Sequence, residues 1–285
     1  MKILVTGATG KLGSKVVASL LKQVPASDLA VSVRNPEKAE DLRAQGVDVR
    51  HGDFDAPETL DQAFQGIDRL LIISTDGDNE TRIRQHENAV HAAERAGVKF
   101  IAYTSLANAT ESQNLMAPPH VATEAAIIKT GIPYTFLRNN WYLENELGSI
   151  QAVEAGAPWV TSAGEGKVGW ALQQDYADAA VAVLTGSGHE NKTYELSGPL
   201  LTQEQLASAL GEVLQNQVSV QQVSDEEYAE VMKGAGVPDF AIPIVVGIQE
   251  SIRNGSLEVA NSDFEQVLGR PLTPINDGLA QLVSK

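Results

Sequence analysis

Short apolar runs alternate with amphipathic stretches through the first half of the chain. Residues 3–6, 29–33, 47–50, 69–73, 100–104 and 134–137 are runs rich in β-formers and bounded by Gly, Pro or Asp, which predicts strands. The segments between them predict helices over 11–23, 36–45, 57–65, 80–96 and 120–130. Pro36 and Pro57 fall near helix starts, where a missing N–H costs little, and Gly46, Gly66, Gly97 and Gly131 fall just past helix ends. A β-α alternation of this length predicts an α/β chain with a Rossmann-type, doubly wound parallel sheet covered by helices on both faces. After residue 140 the pattern changes to shorter strands, at 159–161 and 193–197, among helices such as 203–214 and 226–233. The expected organisation is a first domain over 1–140 and a smaller C-terminal α/β lobe over 141–285, packed on it with a substrate cleft between them. No Pro-, Gly- or Ser-rich linker, repeat or low-complexity tract separates the halves.

Composition narrows the chemistry. The 285 residues include no cysteine, which removes disulfides, thiolate nucleophiles and zinc-thiolate sites together. The five histidines, His51, His86, His91, His120 and His189, lack metal-ligand spacing, so no metal is expected. His86 and His91 lie within one helix and are expected at its surface or in packing. A formal charge of -16 repels phosphate backbones, which argues against nucleic acid as a partner. No window reaches the ~18 to 20 continuous apolar residues of a membrane span, and the N-terminus lacks a signal-peptide layout, so a cytoplasmic location is expected.

The strand at 3–6 runs straight into Gly7-Ala8-Thr9-Gly10-Lys11-Leu12-Gly13, which opens a helix with Leu12, Val16, Val17, Leu20 and Leu21 on one face. In that context the three glycines read as a dinucleotide loop. The first permits the tight turn, the second lets backbone approach a pyrophosphate, and the third lets helix and strand pack closely. The spacing, G-x-x-G-x-x-G, is one residue longer than the common fingerprint. An NAD-specific site carries Asp or Glu at the end of the second strand, where this chain has Arg34; Asp28 precedes the strand and belongs at the opposite edge of the sheet. A guanidinium suits a 2′-phosphate, with Lys11 and Lys38 adding positive charge, so NADP is the expected cofactor. Position at the carboxyl ends of the fourth and fifth strands places Ser74 and Thr75 by the adenosine ribose or pyrophosphate, and Thr104 and Ser105 nearer the nicotinamide.

Several motifs in order carry a family resemblance: TGATGKLG, VRNPEK after the second strand, HGDFDAPETL after the third, AGVKFIAYTSL at the fifth, a His-x-x-x-Glu helix, GIPYTFLRNNWYLEN, and the late GRPLTP. Together they resemble the NmrA-like branch of the atypical short-chain dehydrogenase/reductases and, within it, the bacterial NAD(P)H:quinone oxidoreductase type. The resemblance implies that Asp53 holds the adenine amino group, although a turn or cap role fits it equally. It also implies that the helix carrying His120 lies near the active site, where some relatives have a lysine that this chain lacks.

The Tyr-x-x-x-Lys pair of many short-chain dehydrogenases is absent. Four residues after Tyr103, Tyr134, Tyr142, Tyr176, Tyr194 and Tyr228 come Ala107, Arg138, Glu146, Ala180, Gly198 and Met232. Two readings follow: reduction of an acceptor that needs little acid catalysis, or cofactor binding without turnover. A quinone suits the first, being electrophilic and able to take protons from water. Asn139 or Asn140 is then expected to hydrogen-bond a quinone oxygen or the carboxamide, and Trp141 or Tyr142 to stack on a planar ring, unless these aromatics only pack. His120 and Glu124 share a helix face, which makes His120 a candidate proton donor beside a structural alternative. The competing function is an NADP-binding redox sensor of the NmrA-like type. An isomerase with tightly bound NAD is disfavoured by Arg34 and the missing Tyr-x-x-x-Lys. The sequence leaves the oligomeric state open, a homodimer included.

Overall fold

Strands β1 (Ile3–Thr6), β2 (Leu29–Val33) and β5 (Phe100–Leu106) are buried at every residue, as strands covered on both faces must be. The computed structural model describes residues 1–260 and 263–283. With β3 (Asp48–His51), β4 (Arg69–Ile72) and β6 (Tyr134–Asn139), these strands make one sheet, joined beside β6 by Lys192–Leu196. Its order is Lys192–Leu196, β6, β5, β4, β1, β2, β3. Pairing from β6 through to β3 is parallel throughout. Chain order reverses between β1 and β4, and in open α/β sheets a ligand crevice forms outside the carboxyl ends of strands at that point.

The intervening helices are α1 (Lys11–Leu20), α2 (Glu40–Ala44), α3 (Pro57–Ala63), α4 (Asn79–Arg95) and α5 (Ala117–Thr130). Leu60 and Phe64 with Ala89, Val90 and Ala93 of α4 pack against Leu70, Ile72 and Ile101 in one core. α4 stops because Gly97 takes φ +69°, which lets the N–H groups of Gly97 and Val98 turn back onto the carbonyls of Glu94 and Ala93. The helix expected over 36–45 is broken: Asn35 accepts the Glu37 N–H at 3.0 Å and sets a 3-10 turn over Pro36–Ala39, ahead of α2.

The chain divides into two units. One comprises Met1–Ala109, Pro118–Asn139 and Gln174–Tyr194; the other comprises Thr110–Ala117, Asn140–Gln173 and Glu195–Lys285. A single cut at residue 140 does not describe this division. The helix Gln173–Thr185 returns to the first unit, where Asp178 accepts a hydrogen bond from Ser19 at 2.9 Å and Arg69 donates to the carbonyls of Val183 and Gly186. The strand expected at 193–197 in the smaller lobe is likewise part of the large sheet.

In the second unit, Trp141–Tyr142 pairs in parallel with Trp170–Ala171, and Leu200–Thr202 runs antiparallel to Lys167–Gly169. Trp159–Thr161 pairs with Val220–Gln222. Leu143, Ile150, Trp159, Trp170, Leu206, Leu210, Ile252 and Leu279 form its core. Among the described residues no helix is long and apolar enough to cross a membrane.

Candidate active site

The turn between β1 and α1 is shaped by two backbone demands. Gly7 takes φ +61°, and Gly10 donates to its carbonyl at 2.9 Å. A Cβ at Gly13 would run into the Gly7 carbonyl and lie 2.9 Å from Ala8 Cα, so only glycine lets α1 sit this close to the turn. Leu12, Val16, Val17 and Leu20 anchor the helix beneath. Its first turn holds no acidic residue and no side chain caps it, which leaves outward N–H groups and the positive end of the helix beside Thr9, Gly10 and Lys11, all exposed. That arrangement takes an anion.

Arg34 lies just past β2, exposed, with no hydrogen bond or ion pair among the described residues. The carboxylate in its vicinity is Asp55, which hydrogen bonds from Gln85 and Arg84 hold below the usual carboxylate range, with a smaller contribution from Arg34. Asp53 uses one side-chain oxygen to accept the N–H of Asp55 at 2.9 Å, so the turn role that competed with adenine recognition is present. Lys38 is exposed in the following 3-10 turn.

Between α4, β5 and α5 lies a buried polar cluster: Arg82, His86, Tyr103, His120 and Thr123, each 7% exposed or less. Donor and acceptor rules fix its direction. Arg82 can only donate, so Nε2 of His120, 2.9 Å from Nη2, accepts; Nδ1–H of His120 then donates to the Tyr103 hydroxyl at 2.9 Å. Nε2 of His86 accepts the N–H of Thr75 at 2.9 Å, so its Nδ1–H donates to Thr123 Oγ1 at 2.8 Å. The Thr123 hydroxyl itself donates to the Pro119 carbonyl, and the Tyr103 hydroxyl is hydrogen-bonded to Thr123 in turn. Both imidazoles are neutral: burial, then the Arg82 charge, pushes each down to about 3. Burial pushes the Tyr103 phenol up.

This sets a pH dependence. In the unfolded chain these two histidines protonate below about pH 6.5, whereas in the folded chain they resist protonation, so folding stability is full above that value and falls as the medium is acidified. Between about pH 6.5 and 5, before carboxylates dominate, urea midpoints should decline, and less steeply in a His86→Gln/His120→Gln double variant. An identical slope in both proteins would contradict neutral burial.

His120 is thus a buried hydrogen-bonding residue with both ring nitrogens engaged, which removes the basis for a proton donor at neutral pH. Glu124 does not join it. Its carboxylate receives Nε and Nη2 of Arg138 at 2.9 and 2.7 Å and the Ser105 hydroxyl at 2.6 Å, tying α5 to β5 and β6. Ser105 is therefore committed to that anchor. Thr104, on the opposite face of β5, accepts the Ser74 N–H at 2.9 Å. Asn139 is buried at the end of β6, its carbonyl accepting the Ala107 N–H.

In the second unit, Asn140 is buried and both its donor bonds are spent, on Ser197 Oγ at 3.1 Å and the Leu257 carbonyl at 2.9 Å, so its amide nitrogen is not available to a substrate oxygen. Trp141 turns its indole N–H to Glu146, as Trp170 does, at 3.2 and 3.0 Å; burial raises the pKa of that carboxyl. Tyr142 is half-buried in its short strand. Sequence reasoning missed Arg82, Tyr103 and Thr123 and placed His86 as an ordinary surface or packing residue. A signal existed: Arg82 and His86 fall on the stripe of α4 that Ala89, Val90 and Ala93 define.

Comparison with known proteins agrees with this architecture. The model of the NmrA-like family matches residues 1–260. The chain is 40% identical to quinone oxidoreductase 2 of Escherichia coli over 281 residues, covering 98% of each. Among solved structures it is similar to the Citrobacter sp. triphenylmethane reductase complexed with NADP(H), at TM-score 0.96 and 44% identity over 99% of this chain and 100% of that one. It is also similar to the NADPH-dependent quinone oxidoreductase of E. coli complexed with NADPH, at TM-score 0.93 and 41% identity over 98% and 99%. The uncapped glycine turn at the switch point of a parallel sheet and the match over most of the chain lead to one conclusion: this chain belongs to the NmrA-like family.

Proposed function

We propose that the chain is an NADPH-dependent reductase whose acceptors are quinones or similar small electrophiles. The observation that carries this reading is the exposed Gly7–Gly13 turn, with its free helix N-terminus and with Arg34 in place of an acid past β2. The full-length similarity to two reductases of known structure, each complexed with NADP(H) or NADPH, supports it.

The residues present fit the dinucleotide. Gly7, Thr9, Gly10, Lys11, Leu12 and Gly13 would hold the pyrophosphate, Arg34 the 2′-phosphate, and Ser74 and Thr75 the ribose side, with Asp53 offering its remaining carboxylate capacity to the adenine. Thr104 and Asn139, at the ends of β5 and β6, would border the nicotinamide. When bound, the reduced nicotinamide supplies a hydride to the acceptor. The protein's own part is orientation: His86, Tyr103 and His120 are neutral and engaged, and Glu124 is paired with Arg138, so none of these groups is poised to pass a proton to an acceptor. A quinone tolerates that lack, since its reduced form takes protons from water.

Appearance of hydroquinone from quinone and NADPH tests this reading, while tight NADPH binding without product would favour the redox sensor. The rate should vary weakly between about pH 6 and 8, and His120→Ala should lower kcat by well under the ~100-fold typical of losing an acid catalyst. The same variant should melt earlier, since it removes the acceptor of the buried Arg82 Nη2 and one hydrogen bond to the Tyr103 hydroxyl. A steep pH profile that vanishes in the variant would contradict the assignment.

A further inference from the structure

β4 leaves the sheet ladder after Ile72, and the next three backbone amides are each caught by a side chain from a different element. Ile73 N–H donates to Thr6 Oγ1 of β1, Ser74 N–H to Thr104 Oγ1 of β5, and Thr75 N–H to His86 Nε2 of α4, each at 2.9 Å. Thr6, Thr104 and His86 are 1%, 3% and 0% exposed. Three successive buried acceptors hold an otherwise unpaired strand extension in one conformation. The Thr75 hydroxyl also lies 3.1 Å from His86 Nε2, so one ring nitrogen fixes both the main chain and the side chain of Thr75.

We propose that His86 is a positioning residue for the dinucleotide, acting through Thr75. The imidazole is itself oriented from behind: Thr123 Oγ1 accepts its Nδ1–H and donates to the Pro119 carbonyl. That bond selects the tautomer whose Nε2 is free of hydrogen and able to accept. The opposite tautomer would point an N–H at the Thr75 N–H. Thr123 thus governs, one residue removed, whether the extension after β4 is preformed before the cofactor arrives, and preforming it lowers the ordering cost of binding. The inference rests on the NADPH reading, and two readouts separate the two.

The first needs no cofactor. Amide exchange at Thr75, followed by NMR, should quicken by about tenfold in His86→Phe, which fills the space but cannot accept, and stay near wild type in His86→Gln, whose Oε1 can replace Nε2. The second is the dissociation constant of NADPH, read from its fluorescence. It should rise about 5- to 10-fold in His86→Phe and recover in His86→Gln. Thr123→Val should weaken NADPH in the wild-type background and have little further effect beside His86→Gln, because that glutamine has no tautomer to select. Unchanged Thr75 exchange in folded His86→Phe overturns the proposal, as does equal loss of NADPH in the phenylalanine and glutamine variants. Failure of the wild type to bind NADPH overturns the proposed function instead, with Thr75 exchange still deciding whether His86 holds the extension.

Discussion

Gly10→Val should reduce NADPH binding by more than about 100-fold, below the reach of calorimetry, in a protein that still folds. Gly10 has φ -80°, a backbone any residue adopts, and a Cβ there would stand 3.2 Å from the Gly7 carbonyl, so the turn needs to yield by only a few tenths of an ångström. The outward face is different. Gly10 is the exposed cap of α1, and a branched side chain would fill the space over the first-turn N–H groups proposed to hold the pyrophosphate. Gly13→Val is the contrasting control. Its Cβ has no room against the Gly7 carbonyl, so that variant should lose stability first, by about 1 to 3 kcal/mol or more. Binding isotherms beside melting curves separate the two, and wild-type affinity in Gly10→Val would remove the glycine turn from the site.

Arg34 should divide NADPH from NADH. It is exposed, makes no hydrogen bond or ion pair among the described residues, and stands where an NAD-selective chain places a carboxylate. A charge-assisted hydrogen bond to the 2′-phosphate contributes roughly 1.5 to 3 kcal/mol, or about 10- to 150-fold in affinity. Arg34→Ala should weaken NADPH by that factor and leave NADH nearly unchanged. Arg34→Asp should go further, because a carboxylate repels the phosphate yet accepts from free ribose hydroxyls. Lys11 and Lys38 place the alanine effect toward the low end of the range. Equal losses for both cofactors would mean that Arg34 supports the local fold and not the phosphate.

The frame of the first unit was legible because each of its signals is local. A buried strand such as 3–6, a glycine turn and an amphipathic α1 are written within about 20 consecutive residues, and the six predicted strands differ from β1 to β6 by two residues or fewer at either end. What escaped reading is held by long-range partners. Arg82 meets His120 across 38 residues, Tyr103 meets it across 17, and His86 meets Thr123 across 37, none of which is a helix or strand period. His120 and Glu124 do share a face of α5, but their partners come from α4, β5 and β6 and commit each to a separate anchor. Asn140 illustrates the same limit, since Ser197 and Leu257, its two acceptors, lie far along the chain. The helix Ile242–Arg253 opens with a run of β-branched residues that argues for a strand, yet Pro243 sits in its first turn, where a missing N–H costs little, and its buried residues are Gly247, Gln249, Ser251 and Ile252.

The central claim, a dinucleotide reductase working by orientation, is tested most directly by mixing the purified chain with NADPH and a panel of small quinones while following the near-ultraviolet absorbance of the reduced nicotinamide. The account predicts steady loss of absorbance that requires both quinone and protein, is much slower with NADH at equal subsaturating concentration, and disappears in Gly10→Val. Tight NADPH binding with no loss of absorbance against any quinone would contradict it.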